Sequence, residues 1–233
     1  VDAAMAFYLD ALAKTEIPQV GGWQYARSGG IDVPCGTSPF MTAPCLMALV
    51  EAKASGLAVS DELIARTIQA LEITRGDSGY VAYNAQKQTR DDTKQIPGSI
   101  GRMCAVEVAL AHAGKKDEKR LRFAVDKFFE FWPELEKRRK KSGTHLPPYN
   151  VAPYYFYYAF EHAAAAIELL PEADRAELRA KFRETLFKSR DADGTWNDRV
   201  FPRTASFGTA MSVLALMEAA AVDAVLAPAK AGK

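Results

Sequence analysis

The segment Gln19-Val20-Gly21-Gly22-Trp23-Gln24-Tyr25 leads, through a polar stretch rich in glycine and proline, into an apolar helical run from Phe40 to Ala54. The same order recurs twice. Ser78-Gly79-Tyr80-Val81-Ala82-Tyr83 precedes a run from Ile100 to Ala113, and Asp193-Gly194-Thr195-Trp196 precedes a run from Ala205 to Ala221. The glycines before the aromatics, Gly22, Gly79 and Gly194, lie 57 and 115 residues apart (79 − 22 and 194 − 79), one and two steps of a common period. The skipped step falls near residue 136, where Ser142-Gly143-Thr144-His145 is followed by a helical run from Tyr154 to Leu170. Such fixed-period self-similarity marks a chain of repeated supersecondary units.

Charged, amphipathic segments lie between these units. Residues 2 to 14 form a first helix with Met5, Leu9 and Leu12 inward. Ser60 is a good N-cap for a second, in which Leu63, Ile64, Ile68 and Leu71 recur at helical spacing. Lys119 to Glu136 carries Leu121, Val125, Phe128, Phe129 and Trp132 on one stripe, and Ala173 to Lys188 follows Pro171. Tyr80 to Tyr83 is the best strand signal and is too short for a sheet. About eight helices in four pairs are expected, each pair an outer amphipathic helix, an aromatic-glycine loop and an apolar inner helix. Inner helices that are apolar nearly all round must be buried on most sides. Residues 1–225 read as one domain, and 226–233, ending Ala-Pro-Ala-Lys-Ala-Gly-Lys, as a flexible tail.

Composition removes several classes. With 233 residues, 48% of them apolar, the chain is neither disordered nor collagen-like. Thirty basic against 29 acidic residues leave a formal charge of +1, so nucleic acid is not an expected partner. The basic run Lys137 to Lys141 reads as a solvated helix end beside Glu134 and Glu136. No apolar stretch of about 18 residues spans a bilayer. Cys35, Cys45 and Cys104 are too few for a disulfide framework and read as thiols, a Cys35–Cys45 bridge being the other option. The start at Val1 reads as a trimmed or processed chain. Compartment stays open, with export after signal-peptide removal among the readings.

Gln19-Val20-Gly21-Gly22-Trp23 resembles the Q-x-x-G-x-W repeat of the prenyltransferase and squalene-oxidase repeat family, which includes triterpene cyclases and protein prenyltransferase β-subunits. Asp191-Ala192-Asp193-Gly194-Thr195-Trp196 resembles it too, and Ser78-Gly79-Tyr80 is similar to a degenerate copy. The resemblance implies an all-α fold, an α/α toroid, partial or complete, whose inner helices line a central cavity. Thr89-Arg90-Asp91-Asp92-Thr93 is similar to the D-x-D-D-T acid motif of class II cyclases, which implies Asp91 and Asp92 as candidate catalytic acids. Here Thr89 stands in the first position, and the stretch from Lys94 to Gly101 separates the motif from its helix. Exposed loop aspartates near a helix N-terminus are the structural alternative.

The aromatic cluster Tyr149, Tyr154, Tyr155, Phe156, Tyr157, Tyr158 and Phe160 is the other feature of note. Tyr154, Tyr157 and Tyr158 share a helix face by spacing, as a ligand wall or as core packing. A pocket is expected where this helix start meets Trp23, Tyr80, Tyr83 and Trp196, holding an apolar small molecule or a glycan. His112, His145 and His162 are scattered, without a His-x-x-x-His or Cys-x-x-Cys pair, so neither metal nor cofactor is expected. Incomplete catalytic signatures favour a non-catalytic module that binds a ligand or a protein. The alternative is an isoprenoid cyclase or transferase with Asp91/Asp92 as general acid. Four pairs are fewer than the six of a closed toroid in that family, so the chain reads as a piece of a longer protein, and an uncovered inner helix would favour a protein partner or self-association.

Overall fold

Helix starts follow from local chemistry. The Ser60 hydroxyl accepts the Leu63 amide at 3.2 Å, and Asp117 accepts the Arg120 amide at 3.1 Å, each satisfying a donor the helix leaves unpaired. A computed structural model describes residues 2–25, 27 and 29–226, the side chains of residues 2 and 219–226 excepted. The helices are α1 (Asp2–Thr15), α2 (Pro39–Ala54), α3 (Asp61–Glu72), α4 (Ile96–His112), α5 (Glu118–Glu136), α6 (Phe156–Glu168), α7 (Glu172–Lys188) and α8 (Ala205–Leu226). Among the described residues there is no strand, only isolated bridges such as Thr37 with Ala85 and Arg75 with Val81. The tail expected at 226–233 lies, beyond Leu226, outside the described residues.

The fold is all-α, and its helices pack as two rows. The even-numbered helices form one row in chain order, α2 on α4, α4 on α6 and α6 on α8. Of the odd-numbered helices, α3 packs on α2 and α4, α5 on α4 and α6, and α7 on α6. Burial matches this division. Every residue of α4 from Ile96 to Leu110 is buried, whereas α3, α5 and α7 bury one face each. A continuous core runs from Ala43 to Ala215, with Phe128, Phe156, Tyr157 and Phe160 fully enclosed. Each such side chain contributes about 1.5–3 kcal/mol through burial alone.

Two expectations are corrected. Met5 in α1 is exposed; that helix is held through Leu9 and Leu12, which pack on a small cluster of Trp23, Leu49 and Leu63. The last even-numbered helix is not buried on most sides: Phe207, Val213, Leu214 and Met217 form an exposed stripe on α8. Nothing in the described chain follows α8 to cover it. Among the described residues no helix is long and apolar enough to cross a membrane. All three cysteines are free thiols; Cys104 is buried, and Cys35 and Cys45 are half-buried.

Buried charges tie the rows together. Glu107 of α4, 4% exposed at its side chain, lies 3.0 Å from Arg75 and 3.3 Å from Arg120. Glu168 of α6 pairs with Arg179 of α7. The basic run after α5 is also spent internally: Lys137 pairs with Glu134 (2.6 Å), Arg139 with Glu136 (2.8 Å) and Lys140 with Asp191 (2.6 Å).

Candidate functional site

The loops between odd and even helices build the site, and backbone geometry corrects their register. Gly21, Gly79, Gly143 and Gly194 have φ of +78°, +93°, +77° and +88°, and each lies six or seven residues beyond the preceding helix. Gly22 also has a positive φ (+69°) seven residues beyond α1, and it is the bond from the Ile17 amide to the Gly22 carbonyl, matching that from Gly76 to Tyr80, that makes Gly21 the counterpart of Gly79. A side chain at Gly79 would be strained by this φ and would place its Cβ 2.3 Å from the Phe123 ring, so glycine is required. In three copies a clamp closes around the glycine. The Ile17 amide donates to Gly22 carbonyl (2.9 Å), Gly76 to Tyr80 (2.8 Å) and Asp191 to Thr195 (2.8 Å).

Two residues after each glycine stand Trp23, Val81, His145 and Trp196. The two tryptophans do the same work. Their indole N–H groups donate to the last turn of the preceding helix, Trp23 to Leu12 carbonyl (3.1 Å) and Trp196 to Leu186 carbonyl (3.2 Å). Their amides donate to a threonine of the following helix, Thr42 (3.0 Å) and Thr209 (3.1 Å). Both rings are buried staples and line no ligand cavity.

The second and third copies lack tryptophan, and a cavity of about 530 Å³ lies between them, lined by Tyr80, Tyr83, Asp92, Gln95, Arg102, His145, Tyr149 and Asn150. Tyr80 and Tyr83 are thus where the sequence placed them, while Trp23 and Trp196 are not at this cavity. Tyr154 stands behind it: its hydroxyl donates to His145 Nε2 (3.0 Å). The Nδ1–H of His145 faces the Asn150 carbonyl and the Tyr155 hydroxyl, both at 3.3 Å. A carbonyl can only accept, so Nδ1 carries a proton, and both ring nitrogens of His145 are engaged within the protein. Tyr157 is fully buried with its hydroxyl on Ser189 carbonyl (3.3 Å), and burial pushes that hydroxyl up to about 12. Tyr158 packs on Phe40 and stacks on His162 (ring centroids 4.3 Å apart); burial raises its hydroxyl well above the ordinary range. Tyr157 and Tyr158 therefore belong to the core side of α6.

Arg102 enters the cavity from α4 and is 5% exposed. Its Nε donates to Val81 carbonyl (2.9 Å) and one Nη to Gly98 carbonyl (2.8 Å). The guanidinium carbon lies 5.9 Å from the ring centres of both Phe40 and Tyr83. Loss of hydration lowers its pKa, partly offset by Tyr80 and Tyr155. Desolvation likewise raises the Tyr83 hydroxyl.

Asp91 and Asp92 are separated by their surroundings. The Asp91 carboxylate accepts the Ser78 amide (2.9 and 3.0 Å) and the Ser78 hydroxyl (2.9 Å), bracing the Gly79 turn. Asp92 is exposed at the cavity mouth. No insertion separates the motif from its helix: Thr93–Gln95 form a single 3-10 turn that runs directly into α4. Among the described residues no group of three or more His, Cys, Asp or Glu side chains is arranged to hold a metal ion. Sequence reading missed Arg102, Gln95, His145 and Asn150 as cavity residues. Arg102 carried a signal, being a charge inside a helix expected to be apolar all round.

Comparison with family models, with curated proteins and with solved structures finds no match for this chain.

Proposed function

We propose that this chain is a ligand-binding module of the α/α-toroid type, with even-numbered helices inside and odd-numbered helices outside, and that its loop-end cavity holds a glycan unit without chemistry. The observation that carries the reading is the composition of the cavity wall. Three tyrosine rings, suited to the face of a sugar, stand among Asp92, Gln95 and the Asn150 side chain, suited to its hydroxyls. A purely apolar ligand would leave these polar groups unpaired at a cost of about 1–3 kcal/mol each. Asp92 at the mouth supplies an acceptor for hydroxyl donors. The exposed stripe on α8 supports a protein partner or a second copy at that end of the row.

The alternative, an isoprenoid cyclase or transferase, draws less support. Protonating an alkene needs a carboxyl group kept protonated in an apolar enclosure. Asp91 instead accepts three hydrogen bonds from Ser78, and Asp92 is exposed to solvent.

Calorimetric titration with oligosaccharides tests the reading. Saturable binding to the wild type is expected, lost at least tenfold in Tyr83→Ala with the helical content unchanged. No binding across neutral and acidic oligosaccharides would end it.

A further inference from the structure

Among the described residues Arg102 is the most buried arginine, and it differs from four half-buried ones that each meet a carboxylate; Arg27, Arg138, Arg175 and Arg199 are half-buried as well and are held by carbonyls or aromatic rings. Arg75 and Arg120 share Glu107, Arg139 faces Glu136 and Asp191, and Arg179 faces Glu168. These four have side chains 15 to 33% exposed and each has a carboxylate. Arg102, 5% exposed, has no carboxylate within ion-pair distance among the described residues. Removing an ammonium- or guanidinium-type charge from water costs several kcal/mol unless a counter-charge or hydrogen bonds replace the hydration. The Val81 and Gly98 carbonyls take two of its five N–H donors, the Tyr80 hydroxyl faces another, and the rings of Phe40 and Tyr83 stand beside it. The guanidinium is therefore anchored at its Nε side and incompletely neutralised where it meets the cavity.

We infer that the ligand is an acidic sugar, a uronic acid residue, whose carboxylate sits on Arg102. The inference rests on the reading of the cavity as a glycan site and names the charge of its occupant. Three observations converge on it. A planar guanidinium held from behind by two carbonyls presents its remaining donors in the fork that fits a carboxylate. The cavity lining has one cation, no lysine and an aspartate at its mouth, a balance that suits a monoanion better than a phosphate dianion. The other polar groups, Gln95, the Asn150 side chain and Asp92, are hydroxyl partners and carry no positive charge beside Arg102. The carboxylate end of the sugar then lies inward on α4, and its hydroxyl edge lies at the mouth between the 142–150 loop and Asp92.

The test compares galacturonate and glucuronate oligosaccharides with their methyl esters, with neutral galactose and glucose oligosaccharides and with inorganic phosphate, by calorimetric titration of the whole chain. The acids are expected to bind about 10- to 100-fold more tightly than their esters, the range for a charge-assisted hydrogen bond lost on esterification. Arg102→Gln should erase that ratio, and Arg102→Lys should restore part of it. Arg102 also anchors the Val81 loop, so a second variant that keeps this anchor is required. Asn150→Asp keeps a residue that tolerates the φ of +53° at this position and adds a negative charge at the mouth. It should lower the acid-to-ester affinity ratio several-fold. Equal binding of acid and ester, or preference for the neutral sugars, overturns the acidic-ligand inference and leaves the glycan reading standing. Competition by inorganic phosphate stronger than by the acids overturns it in favour of a phosphorylated ligand. Failure of every sugar to bind overturns both.

Discussion

The first and fourth loop copies and the second and third are built on the same glycine conformation and do opposite things with it. In the first and fourth, a tryptophan two residues after the glycine spends its indole on the preceding helix and its amide on a threonine of the following one. The polar groups of the tryptophan are spent within the repeat, and it acts as a staple. In the second and third, Val81 and His145 take the tryptophan positions, and the polar groups that remain face a shared cavity. Loss of the regular residue is what frees a repeat for recognition. A strict copy satisfies its own backbone; a degenerate one leaves donors and acceptors to be satisfied by something else.

The largest test of this contrast is truncation of a staple. Trp196→Ala should cost about 3–5 kcal/mol, the range for a buried tryptophan with its hydrogen bond, measured by urea unfolding. A cost under about 1 kcal/mol would place the staple copies on a par with the cavity copies and break the comparison.

Asp198 offers the next effect. It lies two residues beyond Trp196, where the second copy has Tyr83, and is fully buried with neither carboxylate oxygen hydrogen-bonded. Burial raises its pKa from 3.8 to about 6, with Arg199 and Arg139 opposing. The folded state then holds a proton that the unfolded chain has released between those values, so stability falls as pH rises through that window. Asp198→Asn should gain on the order of 2 kcal/mol at pH 8, from a shift of about two units, and nothing below pH 4. Thermal unfolding across that range reads it; a gain that does not change with pH would remove the carboxylate from the explanation.

Thr209→Val removes the acceptor of the Trp196 amide at constant volume, and a loss of about 1 kcal/mol is expected by denaturant titration. The same change at Thr42 should match it if the two staples are equivalent, and a difference above about 1 kcal/mol would separate them. The smallest effect on stability should come from the cavity. Gln95→Ala should shift unfolding by about 0.5 kcal/mol or less. It should nonetheless weaken oligosaccharide binding about fivefold, the equivalent of one neutral hydrogen bond. Equal effects on both would make Gln95 part of the scaffold.

Much of the helical layout was legible before any coordinates. Apolar periodicity located all eight helices, and Ser60 marked the start of α3. The site was legible only in part. Tyr80 and Tyr83 stood beside a glycine of the repeat and do line the cavity, but Trp23 and Trp196 carried the same cue and serve as staples. Aromaticity announces burial or recognition alike, and only the neighbours a ring meets decide between them.

The order of the elements, their amphipathic faces and the four-fold repetition follow from the sequence alone, because hydrophobic spacing and capping act within a few residues along the chain. The tertiary structure decided which polar side chains face one another. His145 is 43 residues beyond Arg102 in sequence (145 − 102) and shares one cavity with Arg102 and Asp92 because α4 packs on α6 and the 142–150 loop returns across it. It also decided that α8, apolar along its length, keeps an uncovered face, since a helix can show that it must be buried but not whether a partner is there to bury it.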